Sequence, residues 1–256
     1  MHRPAANIVL VLAVLTGSAG CKHDADKAPA VASSRAINAR RVMVIGASMS
    51  AGFAGSRLDK LLDKAIGIAH ETRASTSVLF FADAIGTGKR QVAAARAFHP
   101  TLTVALDFLF WYAYAAAPAA ERMRRLDVGL AALQTLPGHV VVGDLADMSG
   151  ADPNMLPPAK VPPADQLAAL NRRIHAWAKT RPRLHVIPFS IWAAPLRGRG
   201  TIAVAPNKPP VPARSLLAPD RLHPNADGMR YIVRRLVENL REAFPETPKN
   251  ALGSTL

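Results

Sequence analysis

Short, unbroken apolar runs alternate along this chain with longer stretches in which apolar residues recur at helical spacing. Val42-Met43-Val44-Ile45 is the first run, and it ends at Gly46. Ser77-Val78-Leu79-Phe80-Phe81, Leu102 to Leu106, Val140-Val141-Val142 and Leu184-His185-Val186-Ile187 follow, each read as a strand. Between them Leu58, Leu61, Leu62 and Ile66 share one face of a helix predicted over 51–66. Further helices are predicted over 92–98, 119–136 (stopped by Pro137-Gly138), 164–180 and 225–243. Strands that are apolar throughout are buried on both faces, as in parallel sheets covered by helices. Five of them alternating with helices predict one doubly wound, three-layer α/β domain, whose ligands sit beyond the carboxyl ends of the strands. Pro188 to Pro219 is rich in Pro and Gly and is predicted irregular.

The N-terminus does not fit that pattern. Arg3 precedes the apolar run Ile8 to Leu15, then small residues from Thr16 to Gly20, then Cys21, the chain's single cysteine. The run is too short to cross a bilayer as a mature helix but suits the core of a secretory signal. One thiol makes neither an internal disulfide nor a multi-cysteine metal site. Cys21 resembles the acylated residue of a bacterial lipobox, although Ser18 stands where Leu is usual. The plain alternative is signal cleavage after Ala19. The expected organisation is therefore a signal peptide with a lipobox-like end over 1–21, a tether over 22–40, a folded domain over 41–244 and a frayed tail over 245–256. Membrane attachment is expected through lipidated Cys21, and the protein is expected to be secreted, as an outer-membrane or periplasmic lipoprotein.

Composition adds a globular core and a strong positive charge: half of the 256 residues are apolar and the formal net charge is +14. Such a charge suits an anionic surface, nucleic acid included. The arginines are spread out, however, and the denser groups (Arg122, Arg124, Arg125; Arg172, Arg173; Arg234, Arg235) fall at helical spacing, as on solvated faces. No nucleic-acid motif accompanies them, and no nucleic-acid partner is expected.

Two places carry chemistry. Ser48 follows the first strand, where a nucleophile would sit at a strand's carboxyl end. Asp220-Arg221-Leu222-His223 stands just before the closing helix. An aspartate and a histidine three apart on one turn can meet, so that the carboxylate orients the imidazole and the imidazole takes a serine proton. Met49-Ser50 after Ser48 departs from the G-x-S-x-G elbow. Gly86-Thr87-Gly88-Lys89 lacks the Gly and Ser/Thr that a P-loop needs at Asp83 and Arg90. The remaining histidines show no metal-ligand spacing, and neither metal nor cofactor is expected.

Gly46-Ala47-Ser48, Asp220-x-x-His223 and Asn171-Arg172-Arg173-Ile174 together resemble the SGNH/GDSL hydrolase family over 41–241. The resemblance implies an α/β/α sandwich with a five-stranded parallel, flavodoxin-like sheet, and esterase, lipase or deacetylase activity without a metal. It implies Ser48 as nucleophile, His223 as general base and acid, and Asp220 as orienting carboxylate. For the oxyanion hole it implies the N–H of Ser48 and a glycine N–H after the second strand, Gly88 with Gly86 as alternate. The family's Asn after the third strand has no counterpart: that place falls at Phe110, within Asp107-Phe108-Leu109-Phe110-Trp111-Tyr112. The expected partner is an ester substrate (acyl ester, acetylated glycan or lipid). The alternative is a weak or inactive relative in the cell envelope that binds glycan or lipid.

Overall fold

A computed structural model of the chain describes residues 36–205 and 207–253. The signal segment, Cys21 and most of the tether lie outside those residues.

Five parallel strands form one sheet: β1 (Arg41–Gly46), β2 (Glu71–Thr76), β3 (Leu102–Ala105), β4 (His139–Gly143) and β5 (Leu184–Ile187), in the order β2-β1-β3-β4-β5. This is the doubly wound order in which the chain switches direction between β1 and β3. β1 pairs with β2 from Arg41 opposite Glu71 to Gly46 opposite Thr76, and with β3 from Val42 opposite Leu102 to Val44 opposite Val104. Helices α1 (Leu58–Ala65) and α7 (Ala226–Ala243) pack on one another, while α2 (Ala84–Phe98), α4 (Ala119–Gln134) and α5 (Ala164–Lys179) pack in series. A short α3 (Phe110–Ala113) joins β3 to α4. The central strands are apolar because both faces are covered: Val42, Val44, Val104, Val140, Val141 and Val142 are fully buried.

The second strand is not where its apolar pattern put it. β2 is Glu71–Thr76, a polar edge strand hydrogen-bonded on one side and partly open to solvent. Ser77 to Phe81 lies beyond it as a loop and a 3-10 turn, and only Phe80 of that run is buried. The first helix is also shorter than predicted and begins at Leu58, after a looped stretch in which Gly52 and Ala54 have positive φ. α2 begins earlier, at Ala84, because the Asp83 carboxylate caps it by accepting from the Gly86 N–H. The predicted irregular segment holds the short α6 (Phe189–Ala193) and a small hairpin of β6 (Thr201–Ile202) and β7 (Val211–Pro212).

The domain also reaches past both expected ends. Ile37 and Ala39, assigned to the tether, are buried, as are Ala251 and Leu252 in the tail expected to fray. The Ile37 N–H donates to the Thr247 hydroxyl at 2.8 Å, so the two ends are fastened together. Among the described residues no helix is long and apolar enough to cross a membrane.

Candidate active site

The site is built at the switch point. After β1 the chain turns through Ala47 to Ser50, and the turn is pinned from the neighbouring strand. Asp107, two residues beyond β3, accepts from the Ala47 N–H (2.9 Å) and the Ser50 hydroxyl (2.6 Å) with one oxygen, and from the Ser50 N–H (3.1 Å) with the other. Asp107 is buried, and burial pushes its carboxyl above the usual range while the bonds from Ser50 and Ala47 oppose the rise. Gly46 is required by this close approach, since a Cβ there would collide with the Asp107 carboxylate and the Ser50 hydroxyl. The Gln91 side chain of α2 holds Gly46 from the other side, accepting its N–H (3.0 Å) and donating to its carbonyl (2.8 Å).

Ser48, carried by that turn, meets the opposite end of the sequence. Its Oγ lies 2.8 Å from His223 Nε2, and His223 Nδ1 lies 2.8 Å from Asp220 Oδ2. A carboxylate only accepts, so Nδ1 donates to Asp220, which leaves Nε2 to accept from the Ser48 hydroxyl. The other Asp220 oxygen accepts from the backbone N–H groups of Leu222 (2.9 Å) and His223 (3.0 Å). Burial works to raise the Asp220 carboxyl, but these bonds from His223 and Leu222 outweigh it and hold the group below its ordinary value. His223 is 4% exposed, with the Phe53 ring 4.6 Å from its own, centroid to centroid. The three side chains thus form a connected relay in which a proton can pass from Ser48 to His223.

A cavity of about 330 Å³ opens beside this relay, lined by Ser48, His223, Phe53, Val78, Leu79, Phe81, Trp111 and Met155 among others. Its lip is apolar and open: Val78 is 44% exposed, Leu79 62% and Phe81 50%. Clustered exposed apolar residues around a concavity mark a contact surface for an apolar partner. Lys160 closes one side, its ammonium 5.5 Å from the Trp111 ring centroid and 5.8 Å from that of Phe81. A second, much smaller cavity touches Ser48, Asp107, Phe110 and Met148.

Not every expected site residue reaches this place. Gly88 is the fifth residue of α2, where the backbone N–H belongs to the helical ladder, and its bare Cα is covered by Tyr112 and Phe108. It serves helix packing and lines neither cavity at Ser48. The alternate, Gly86, has its N–H spent on the Asp83 cap. The reason is the earlier start of α2, which turns an expected loop glycine into a helical one. Four backbone N–H groups at the large cavity, those of Ser48, Val78, Phe81 and Trp111, have no intramolecular acceptor among the described residues.

The aromatic string after β3 divides its work. Phe108, Tyr112 and Tyr114 are fully buried, whereas Phe110 and Trp111 line the cavities. The Tyr114 hydroxyl donates to the Ala146 carbonyl (2.5 Å) and accepts from the Met148 N–H (3.2 Å), securing the loop after β4. Asn171, midway along α5 rather than opening it, grips the same loop by donating to the Leu145 carbonyl and accepting its N–H, each at 2.8 Å. Asp144 caps α6 by accepting from the Ser190 N–H (2.6 Å) and hydroxyl (2.8 Å), and Asp147 accepts from Ser149. Among the described residues no group of three His, Cys, Asp or Glu side chains is placed to hold a metal. Asp107 is the site residue that the sequence alone left unassigned, between lining a pocket and capping a turn; its place beyond the strand that neighbours β1 was the available signal.

No protein-family model matches the sequence, and no curated protein matches it. Solved structures do match in fold. TesA superimposes with a TM-score of 0.52 at 15% identity, over 80% of this chain and 99% of that one. A member of the lipolytic protein G-D-S-L family from Veillonella parvula gives 0.50 at 15% identity, over 78% and 97%. A gut microbial diltiazem-metabolizing enzyme gives 0.53 at 12% identity, over 79% of this chain and 47% of that one. The chain therefore shares the α/β fold of these solved structures, a member of the lipolytic protein G-D-S-L family among them.

Proposed function

We propose that the protein hydrolyses carboxylic esters, with Ser48 as the nucleophile. His223 takes the Ser48 proton as the hydroxyl oxygen attacks the ester carbonyl, and Asp220 stabilises the imidazolium that forms. The tetrahedral oxyanion collapses, the alcohol leaves with the proton from His223, and an acyl-serine remains. Water, deprotonated by His223, then releases the acid. The observation that carries this reading is the unbroken chain from Ser48 Oγ through His223 to Asp220, 2.8 Å at each link. The free N–H of Ser48 is one oxyanion donor, a second comes from the free N–H groups that line the same cavity, and the apolar cavity takes the acyl group. The fold shared with a member of the lipolytic protein G-D-S-L family supports the same class of substrate.

A fluorophosphonate probe should label the wild-type chain at Ser48, and Ser48→Ala should lose both labelling and turnover of p-nitrophenyl esters while staying folded. A folded wild-type protein that is neither labelled nor active would refute the proposal. It would favour the second reading, a protein that binds glycan or lipid without cleaving it. One observation favours that reading: neither Gly88 nor Gly86 has an N–H free at the site.

The proposal includes a place in the cell. The apolar run Ile8 to Leu15 and the small residues before Cys21 support a lipoprotein of the bacterial envelope, anchored through acylated Cys21. Metabolic labelling with a palmitate analogue should mark the wild type and not Cys21→Ser.

A further inference from the structure

Outside the cavities at Ser48 lies another of about 360 Å³, lined by Arg197, Arg214 and Arg221 together with Leu217, Ala218 and Gly150. No acidic side chain lines it. Two of the three arginines, Arg197 and Arg214, are held there by neutral acceptors. Arg214 Nε donates to the Arg197 carbonyl (3.2 Å), while Arg197 Nη2 donates to the Arg221 carbonyl (3.1 Å) and contacts the Met148 sulfur. None of the three makes an ion pair with a described residue. Asp147 lies within electrostatic reach of Arg197, but its oxygens accept from the Ser149 N–H (2.8 Å) and hydroxyl (3.1 Å). Arg197 Nε is buried without any partner, and burial works against the charge it carries.

Three like charges brought together, one of them part-buried with an unsatisfied donor, are costly unless a counter-charge joins them. We infer that this cavity is an oxyanion-binding site, in which Arg197, Arg214 and Arg221 hold a phosphate-like group. Guanidinium forks match the oxygens of phosphate and carboxylate in pairs, which suits an anion of this geometry over chloride. The site is joined to the relay through one turn. Arg221 adopts a left-handed backbone (φ 52°) inside the segment from Asp220 to His223, and Leu222 lines both cavities at Ser48. The oxyanion is either a free ion or a group carried by the substrate. The second source rests on the esterase reading; the first does not.

Inorganic phosphate titrated into the full chain by calorimetry, at constant ionic strength set with chloride, should bind saturably at one site. Arg214→Gln with Arg221→Asn, asparagine being tolerant of the left-handed backbone, should weaken that binding by about tenfold or more, the worth of one charged hydrogen bond. Arg214→Gln alone changes an exposed side chain and should weaken it to a lesser degree without disturbing the fold. Binding that is absent in the wild type, or equal in all three proteins, overturns the inference. Kinetics then assign the source. If added phosphate raises KM for a phosphate-bearing ester but not for p-nitrophenyl acetate, the substrate supplies the group. If calorimetry shows binding and neither KM moves, the site takes a free ion.

Discussion

Asp107→Asn tests whether the turn that presents Ser48 is fixed from β3. The amide keeps one oxygen, which can go on accepting from the Ala47 N–H and the Ser50 hydroxyl. Its NH2 then faces the Ser50 N–H, donor against donor, where the carboxylate now accepts at 3.1 Å. Losing a bond to a charged acceptor and stranding a buried N–H each cost about 1–3 kcal/mol. Removing a buried negative charge returns part of this, because burial already disfavours that charge. A net loss of about 2 kcal/mol should lower Tm by roughly 4–8 °C in a domain of this size. The larger effect is on rate: a shift of about 1 Å in a reacting group costs on the order of 100-fold. Thermal unfolding and p-nitrophenyl ester kinetics read both quantities. kcat should fall while KM stays near the wild-type value, since Asp107 fixes the turn that carries Ser48 and does not line the large cavity. Ser50→Ala, which loses only the hydroxyl bond, should show the same pattern more weakly. An Asp107→Asn enzyme with wild-type kcat, or with KM alone raised, would refute the reasoning.

Other consequences are as direct. Leu79→Asp and Phe81→Ala should lower kcat/KM for long acyl esters and spare acetate; in the wild type each methylene buried in the cavity is worth about 0.8 kcal/mol, or roughly fourfold, in a graded p-nitrophenyl ester series. Gly88→Ala should destabilise the fold by about 1–3 kcal/mol in chemical denaturation, because the added methyl meets the Tyr112 hydroxyl. Asp220 has a carboxyl held below its ordinary value, so it contributes stability that is present above the ordinary carboxylate range and lost as pH falls through the folded value. The acid-side decline of Tm should therefore be shallower in Asp220→Asn, and the two proteins should converge at the acid end of a pH series.

The central sheet was legible because burial on both faces leaves an unbroken apolar signature, as in Val140 to Val142. β2 was not, since an edge strand with Thr72 and Arg73 partly in solvent has no reason to be apolar. The apolar run just after it misled because Val78, Leu79 and Phe81 form an open lip and not a core. The pairing of Asp220 with His223 is local and could be read from spacing, and the place of Ser48 follows from the first strand. What placed Gly88 wrongly was a helix start set by Asp83, since two glycines look like a loop until a cap is known. Asp107 acts across 60 and 57 positions of sequence, and only the strand order brings it to its partners.

The hydroxyl of Ser48 and the imidazole of His223 are 175 positions apart, and nothing local holds them together. Contacts of such long separation carry the greatest chain-closure cost and depend on most of the sheet already being assembled. On the esterase reading, turnover is thus a readout of complete assembly: a molecule lacking its closing segment has no imidazole to meet Ser48.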